Sequence, residues 1–231
     1  MSIEENIREI RERMAAACRA VGRSPEEVTL VGASKMNEAA ACREAIAAGI
    51  DALGENRVQE LLGKYEEQAY DGAPLHFIGH LQRNKVRQIV GKVALIQSVG
   101  TLELLEEIEK CGAKLSLVQD ILLEVNIGGE EAKSGFLPAA LEDAALAARD
   151  FPHLRVRGLM TIPPAEATEP ENIAYFQQVR RLYVDISRNL YDNTFDILSM
   201  GMSGDFEDAI RAGATMVRVG SAIFGNRSYT L

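Results

Sequence analysis

Cysteine and histidine are scarce in this sequence. The three cysteines, Cys18, Cys42 and Cys111, lie far apart, with no CxxC pair and no histidine at a metal-ligand spacing. Disulfide frameworks and structural zinc sites both depend on such pairs. None of the three histidines has an acidic cluster beside it. We therefore expect reduced thiols, a cytoplasmic location and no metal site.

Long apolar runs and an excess of positive charge are also missing. Residues 1–20, MSIEENIREIRERMAAACRA, are charged and amphipathic and contain no apolar signal core. No segment approaches the roughly 20 apolar residues that span a bilayer. The formal net charge is −9, whereas a general nucleic-acid binder shows a basic face. These features predict a soluble chain without membrane or nucleic-acid partners.

No proline- or serine-rich linker divides the chain, and one unit repeats along it. A short β-rich run is followed each time by a polar helical segment. The runs cover residues 28–34, 51–56, 75–80, 94–99, 121–127, 156–163, 196–202 and 216–225. Eight strands alternating with helices favour a closed, parallel (β/α)8 barrel. We predict one TIM-barrel domain, residues 1–231. Only NRSYTL follows the last run, so the N-terminal helix is expected to close the outer ring.

Unusual polar residues follow the predicted strands. In such barrels the chemistry lies at the carboxyl ends of the strands, in the loops that follow them. The strand interiors are nearly all apolar, and the exceptions gather at these ends: Lys35, Asn56, His80, Asn126, Thr161, Ser203 and Arg218. The convergence of distant positions on one rim indicates a single functional site.

The loops after strands seven and eight read SMGMSGD and GSAIFG. Loops at these positions frequently bind phosphate, because glycine lets the backbone approach and amides near a helix start favour an anion. Ser203 is expected at the start of the helix DFEDAIRAG, with Gly220 and Ser221 facing it. Glycine–serine pairs also occur in ordinary turns. Their presence at both strand ends favours a phosphate site.

Lys35 ends an apolar strand, where most lysines would extend their amine to solvent. At an apolar rim, burial lowers the pKa of an amine, and a neutral amine attacks aldehydes to form a Schiff base. A phosphate site beside such a lysine suggests pyridoxal 5'-phosphate (PLP). Arg218 lies two residues before Gly220 and shares its face of the strand. If that face is interior, Arg218 needs a polar partner, either the pyridine nitrogen or a neighbouring carboxylate.

These segments resemble the pyridoxal-phosphate homeostasis proteins of the YggS/PROSC type. The matching stretches run in order through the chain: GASK, GENRVQE, LHFIGHLQRNKVR, EVNIGGEEAKSGF, RGLMTI and LSMGMSGDFEDAIRAGATMVRVGSAIFG. The resemblance implies that Lys35 carries the aldimine, that Arg218 faces the pyridine nitrogen and that Asn56 lines the ring pocket. It assigns the phosphate to Ser203, Gly220 and Ser221. The family usually has threonine in place of Ser221, and KMNE after the lysine is less typical.

The family looks like the barrel half of bacterial alanine racemase without the second domain. That domain supplies a tyrosine acid/base; Tyr229 is a candidate here that nothing places opposite the lysine. An arginine partner keeps the ring nitrogen neutral and weakens the electron sink. The resemblance therefore implies a monomeric carrier that holds PLP and delivers it to apoenzymes without turnover. The alternatives are a PLP-dependent racemase or lyase and a sugar-phosphate enzyme.

Two further residues have open roles. His80 could contact the ring or Arg218, or could be a hydrogen-bonded structural histidine. Lys133 lies in the glycine-rich loop GGEEAKSGF after strand five. It could accept the cofactor from Lys35 as a second amine, but we interpret it first as an exposed lysine that offsets Glu130 and Glu131.

Overall fold

The computed structural model describes residues 2–191 and 194–225 and contains the predicted closed barrel of eight parallel strands. The strands pair in chain order, and β8 pairs with β1 to close the ring. Their bounds are β1 Thr29–Ala33, β2 Ala52–Glu55, β3 Leu75–Phe77, β4 Leu95–Val99, β5 Gln119–Val125, β6 Leu154–Thr161, β7 Ile197–Ser199 and β8 Met216–Val219. The (β/α)8 prediction is confirmed, and every strand falls within or beside its predicted run.

The helices form an outer layer around the strands. Their bounds are α1 Ile3–Ala20, α2 Ala39–Ala47, α3 Val58–Glu66, α4 Val86–Ile89, α5 Leu102–Leu115, α6 Leu141–Ala148, α7 Glu169–Leu190, α8 Phe206–Arg211 and α9 Ser221–Phe224. The main hydrophobic core lies between this layer and the strands. A smaller apolar cluster fills the barrel interior and includes Val31, Leu95, Leu122 and Met216.

Helix α1 closes the outer ring, as the sequence predicts. It begins at a capping box in which the Ser2 hydroxyl accepts from the Glu5 amide and the Glu5 carboxylate accepts from the Ser2 amide. Its apolar face, which includes Ile10 and Met14, is buried. Arg13 binds Glu207 of α8 at 2.8 Å. The helix therefore packs across the seam where the first and last strands meet.

The strand register places one set of side chains inside the barrel. Val31 of β1 lies opposite Arg218 of β8, and successive strand residues point to opposite faces. Arg218 therefore shares the interior with Val31 and Met216. The strand face that carries Arg218, which the sequence leaves open, is thus the barrel interior.

Ion pairs surround the amino-terminal end of the barrel. Arg157 binds Asp120 at 2.8 Å and Asp196 at 2.6 Å, and Arg155 binds Asp120 at 2.6 Å. A recess of about 740 Å³ opens at this end and reaches His76. In barrels of this type the amino-terminal end serves stability, whereas chemistry occurs at the carboxyl end. The functional site is therefore expected at the opposite, carboxyl-terminal rim.

If α1 is an integral part of the core, replacing Ile10 with alanine should lower the free energy of unfolding by about 2–5 kcal/mol, since it removes a buried side chain and leaves a cavity. Urea unfolding measures the loss. Arg8→Ala, on the exposed face of the same helix, is the control and should change the stability by no more than about 0.5 kcal/mol. Equal losses in the two variants would contradict the packing of α1.

Candidate functional site

Lys35 lies two residues beyond the end of β1 and is half-buried. Its carbonyl oxygen accepts a hydrogen bond from the Asn37 side chain at 3.1 Å. Its amine has no hydrogen-bond or ion-pair partner among residues 2–191 and 194–225. Met36 next to it has a φ of +62°, which turns the chain sharply at the rim. Lys35 is therefore an amine available for a ligand.

Two other lysines near this rim are already engaged. The Lys64 ammonium is buried and contacts Glu55 at 2.7 Å and Glu60 at 2.8 Å. The Lys133 ammonium lies 2.5 Å from Glu130 and donates to the Pro163 carbonyl at 3.2 Å. Both therefore bind protein oxygens where the Lys35 amine binds none. This difference singles out Lys35 among the three.

Arg218 is buried in the barrel, with 3% of its surface exposed. One terminal nitrogen donates to the Ser199 hydroxyl at 2.6 Å and the other to the Thr161 carbonyl at 2.9 Å. No carboxylate forms an ion pair with it in the part of the chain that the structure describes. Burial lowers its pKa to about 10. Two protein partners leave three of its five N–H groups for a ligand.

A buried chain of hydrogen bonds continues from Arg218 toward the opposite end of the barrel. The Ser199 hydroxyl donates to the side-chain oxygen Oε1 of Gln97 at 2.6 Å, and the side-chain nitrogen Nε2 of Gln97 lies 3.0 Å from His76 Nδ1. This order makes Nδ1 an acceptor and assigns the His76 proton to Nε2. Burial lowers the pKa of His76 to about 4, so the ring is neutral near pH 7. This series of hydrogen bonds holds the Arg218 guanidinium in one orientation.

The loops after β7 and β8 meet at Ser203, as the sequence predicts. The Ser203 hydroxyl accepts from the Gly220 amide at 3.2 Å and from the Ala222 amide at 3.5 Å. A Cβ on Gly220 would lie 3.2 Å from the Ala33 carbonyl oxygen, so this position is tight. Ser221 is exposed. From the sequence, Ser203 is expected at the start of the following helix. In the structure Asp205 is the N-cap of α8, and Ser203 lies three residues before the first residue of that helix.

Asn56 follows β2 at the same rim. Its Oδ1 atom is buried and has no hydrogen-bond partner among the described residues. A Cβ on Gly79 would lie 2.2 Å from the Asn56 carbonyl oxygen, so only glycine allows this close approach of the loop after β3. A buried polar oxygen without a partner costs free energy. The Asn56 side chain can recover that energy by contacting a ligand.

Glu124 is a rim residue that the sequence analysis did not single out. It lies on β5, two residues before Asn126, and its Oε2 accepts from the Ser134 hydroxyl at 2.9 Å. Burial raises its pKa, while the charges of His80, Arg218 and Lys133 act in the opposite direction. Glu124 is the one acidic residue in the apolar run ILLEVNI, and that contrast could have identified it.

The remaining candidates have structural contacts or none. Asn126 is buried, donates to the Glu130 carbonyl at 2.8 Å and accepts from the Glu130 amide at 3.1 Å. Thr161 donates to the Val125 carbonyl at 2.8 Å. His80 is exposed, and Tyr229 lies outside the described residues. Across residues 2–191 and 194–225, no group of three metal-ligating side chains comes together.

The fold and the rim define a class of protein: a (β/α)8 barrel with an available lysine just after its first strand and a buried arginine on its last strand. The sequence profile described as "Alanine racemase, N-terminal domain" matches residues 1–228. A pyridoxal phosphate homeostasis protein from Aquifex aeolicus is 44% identical over 230 residues, covering 99% of this chain and all of the relative. The chain therefore belongs to the pyridoxal phosphate homeostasis protein family, within the wider alanine racemase N-terminal-domain group.

Solved structures agree with this assignment. A crystal structure of an unknown protein from Bifidobacterium adolescentis is similar at a TM-score of 0.90 and 35% identity, covering 96% of this chain and 94% of that one. PipY of Synechococcus elongatus PCC7942, solved with PLP bound, is similar at a TM-score of 0.82 and 32% identity, covering 97% of this chain and all of that one. None of the helices that the structure describes has the length and apolar character to cross a membrane.

The buried neutral His76 should make the protein less stable in acid. Its pKa is 6.5 in an unfolded chain and about 4 in the folded protein, so only the unfolded chain takes up a proton in this window. The free energy of unfolding should fall as the pH drops below 6.5 toward 4, by up to about 1.4 kcal/mol per pH unit from this group.

His76→Gln should remove that part of the pH dependence, which urea unfolding between pH 7 and pH 5 measures. The exposed Asn84, which has no titratable group, supplies the control, since Asn84→Ala should keep the wild-type dependence. A His76→Gln variant with the wild-type slope would show that His76 does not carry this effect.

Proposed function

We propose that this chain binds pyridoxal 5'-phosphate at the carboxyl rim, linked to Lys35, and that it holds and delivers the cofactor without turnover. One observation carries the proposal. A lysine amine without a protein partner follows β1, and a buried arginine with unused N–H groups lies on β8, the strand that pairs with β1. The aldehyde of PLP needs an available amine, and its ring nitrogen, inside an apolar barrel, needs a hydrogen-bond donor.

The residues present fit the cofactor. Bound PLP supplies an aldehyde that forms a Schiff base with a neutral primary amine. The Ser34 side chain turns to Glu55, and Lys35 follows it in the turn at the carboxyl end of β1, from which its amine would reach the aldehyde. The unused N–H groups of Arg218 would hold the ring nitrogen. Asn56 offers its unpartnered Oδ1 beside the ring.

The phosphate lies against the loops after β7 and β8 in this proposal. Ser203 already accepts from the Gly220 and Ala222 amides, which fixes the shape of the segment. The exposed Ser221 hydroxyl remains able to donate to an anion. The serine in place of the family's usual threonine keeps the hydroxyl.

Holding without turnover follows from the partner of the ring nitrogen. A guanidinium with a pKa of about 10 remains charged near neutral pH and donates to the nitrogen, so it does not transfer a proton to it. Carbanion chemistry on PLP needs an electron-withdrawing ring. The weakened electron sink beside Arg218 supports the proposed absence of turnover. The relatives named for PLP homeostasis and the PLP-bound PipY structure support binding of the cofactor.

Delivery completes the proposed role. We propose a cytoplasmic monomer that passes the cofactor to PLP-dependent apoenzymes. Lys133 joins two rim loops through Glu130 and Pro163, so we assign it to bracing these loops and not to accepting the cofactor.

Borohydride reduction of the PLP-loaded protein tests the lysine assignment. Reduction makes the bond between cofactor and lysine permanent, so peptide mass mapping should find the adduct on Lys35. Lys35→Ala should lose the adduct and the visible absorbance, whereas Lys133→Ala should keep both. An adduct on any other lysine of the wild-type protein would refute the assignment.

Two substitutions at Arg218 test the electronic argument. Arg218→Leu removes the donor to the ring nitrogen and should weaken PLP binding and change its absorbance. Arg218→Glu should protonate the ring and permit slow reaction of added L- or D-alanine, which chiral chromatography detects. The wild-type protein should leave both enantiomers unchanged. Racemisation by the wild type would favour the enzyme, and unchanged spectra and affinity in both variants would make Arg218 purely structural.

A further inference from the structure

Three charged residues form a buried cluster behind Lys35, between β2 and α3. Lys64 is 6% exposed and Glu55 is fully buried. The Lys64 ammonium contacts Glu55 Oε1 at 2.7 Å, Glu60 Oε1 at 2.8 Å and the Ser34 carbonyl at 2.9 Å. All three of its hydrogens are therefore used. Burial lowers the pKa of Lys64, but the hydrogen bonds to Glu55 and Glu60 outweigh burial and leave the pKa raised.

The same cluster holds the backbone on both sides of Lys35. Before it, the Ser34 carbonyl accepts from Lys64, and the Ser34 hydroxyl donates to Glu55 Oε1 at 2.6 Å. After it, the Met36 amide donates to Glu60 Oε1. Met36 has a φ of +62°, a conformation that costs free energy in a residue with a side chain. The contacts with the cluster maintain that turn.

We propose that Glu55, Glu60 and Lys64 are positioning residues for Lys35: they fix the backbone from which its amine reaches the cofactor. The inference rests on the proposed function. A lysine side chain has four rotatable bonds and would otherwise sample many positions, so a fixed backbone reduces the entropy lost on reaching an aldehyde. The cluster acts through Ser34 and Met36 and does not contact the ligand itself.

The cluster also removes a competing amine. Lys64 lies one contact away from the Lys35 backbone, but its ammonium is charged and its three hydrogens are bound. A protonated amine does not attack an aldehyde. The sequence motif GENRVQE supplies both carboxylates, Glu55 and Glu60. The structure thus assigns this motif to the placement of Lys35 as well as to Asn56.

Glu60 provides a matched pair of variants. Glu60→Gln keeps a carbonyl oxygen that can accept from the Met36 amide, whereas Glu60→Leu removes the acceptor. The Glu60 side chain is 19% exposed, so both variants are expected to fold. Arg157→Met, which breaks ion pairs at the opposite end of the barrel, controls for lost stability. Thermal unfolding of all three accompanies the measurements.

Two readouts are measured for each variant. The rate of PLP attachment to Lys35, trapped by borohydride and mapped by mass spectrometry, should fall about three- to tenfold in Glu60→Leu, the range for losing the hydrogen bond that holds the Met36 amide. It should stay within about twofold of the wild-type rate in Glu60→Gln and Arg157→Met. Hydrogen exchange of the protein without cofactor should show loss of protection at the Met36 amide in Glu60→Leu alone.

The outcomes separate the two proposals. If the wild-type protein attaches no PLP, the proposed function fails, and the exchange measurement still decides whether Glu60 holds the Met36 turn. If the wild type attaches PLP and Glu60→Leu does so at the same rate, the positioning role is wrong. A fall in Arg157→Met equal to that in Glu60→Leu would also overturn it, since general destabilisation would then explain both.

Discussion

The pairing of β1 with β8 is the constraint on which the rim depends. These strands come from opposite ends of the chain, and their register sets Val31 beside Arg218. Lys35 and the loop at Gly220 then emerge next to each other. Helix α1 covers the seam, and its Asn6 amide donates to the Ile223 carbonyl at 2.7 Å. An insertion of one residue in β8 before Arg218 would turn Arg218 out of the barrel, since side chains alternate between faces.

The barrel interior contains an apolar cluster and a series of hydrogen-bonded polar side chains. Placing Arg218, Ser199, Gln97 and His76 in the interior costs desolvation, and a half-satisfied network would cost more than an apolar core. Each contact in the chain is within hydrogen-bond distance. The order of donors and acceptors permits only one orientation of the Gln97 amide and one tautomer of His76. The resulting rigidity suits the proposed role of this guanidinium, which is to hold the ring nitrogen.

The sequence predicts the barrel well because its strongest signals are local. Apolar runs alternating with helical segments gave eight strands at the right places, and residues following the runs, such as Lys35 and Asn56, lie on the carboxyl rim. The partners of these residues depend on tertiary contacts instead. No local pattern shows that Lys64 meets Glu55, that Ser203 binds the Gly220 amide or that Glu124 lies within the field of Arg218. Charges inside apolar runs are the only hint of such contacts.

The hydrogen bonds of Arg218 to Ser199 and Thr161 have a consequence for the barrel without a ligand. Both partners belong to the protein itself, so the buried guanidinium is hydrogen-bonded whether or not a ligand is present. The barrel alone therefore already satisfies this buried charge, and PLP bound as proposed would add only the stabilisation set by its own concentration and affinity.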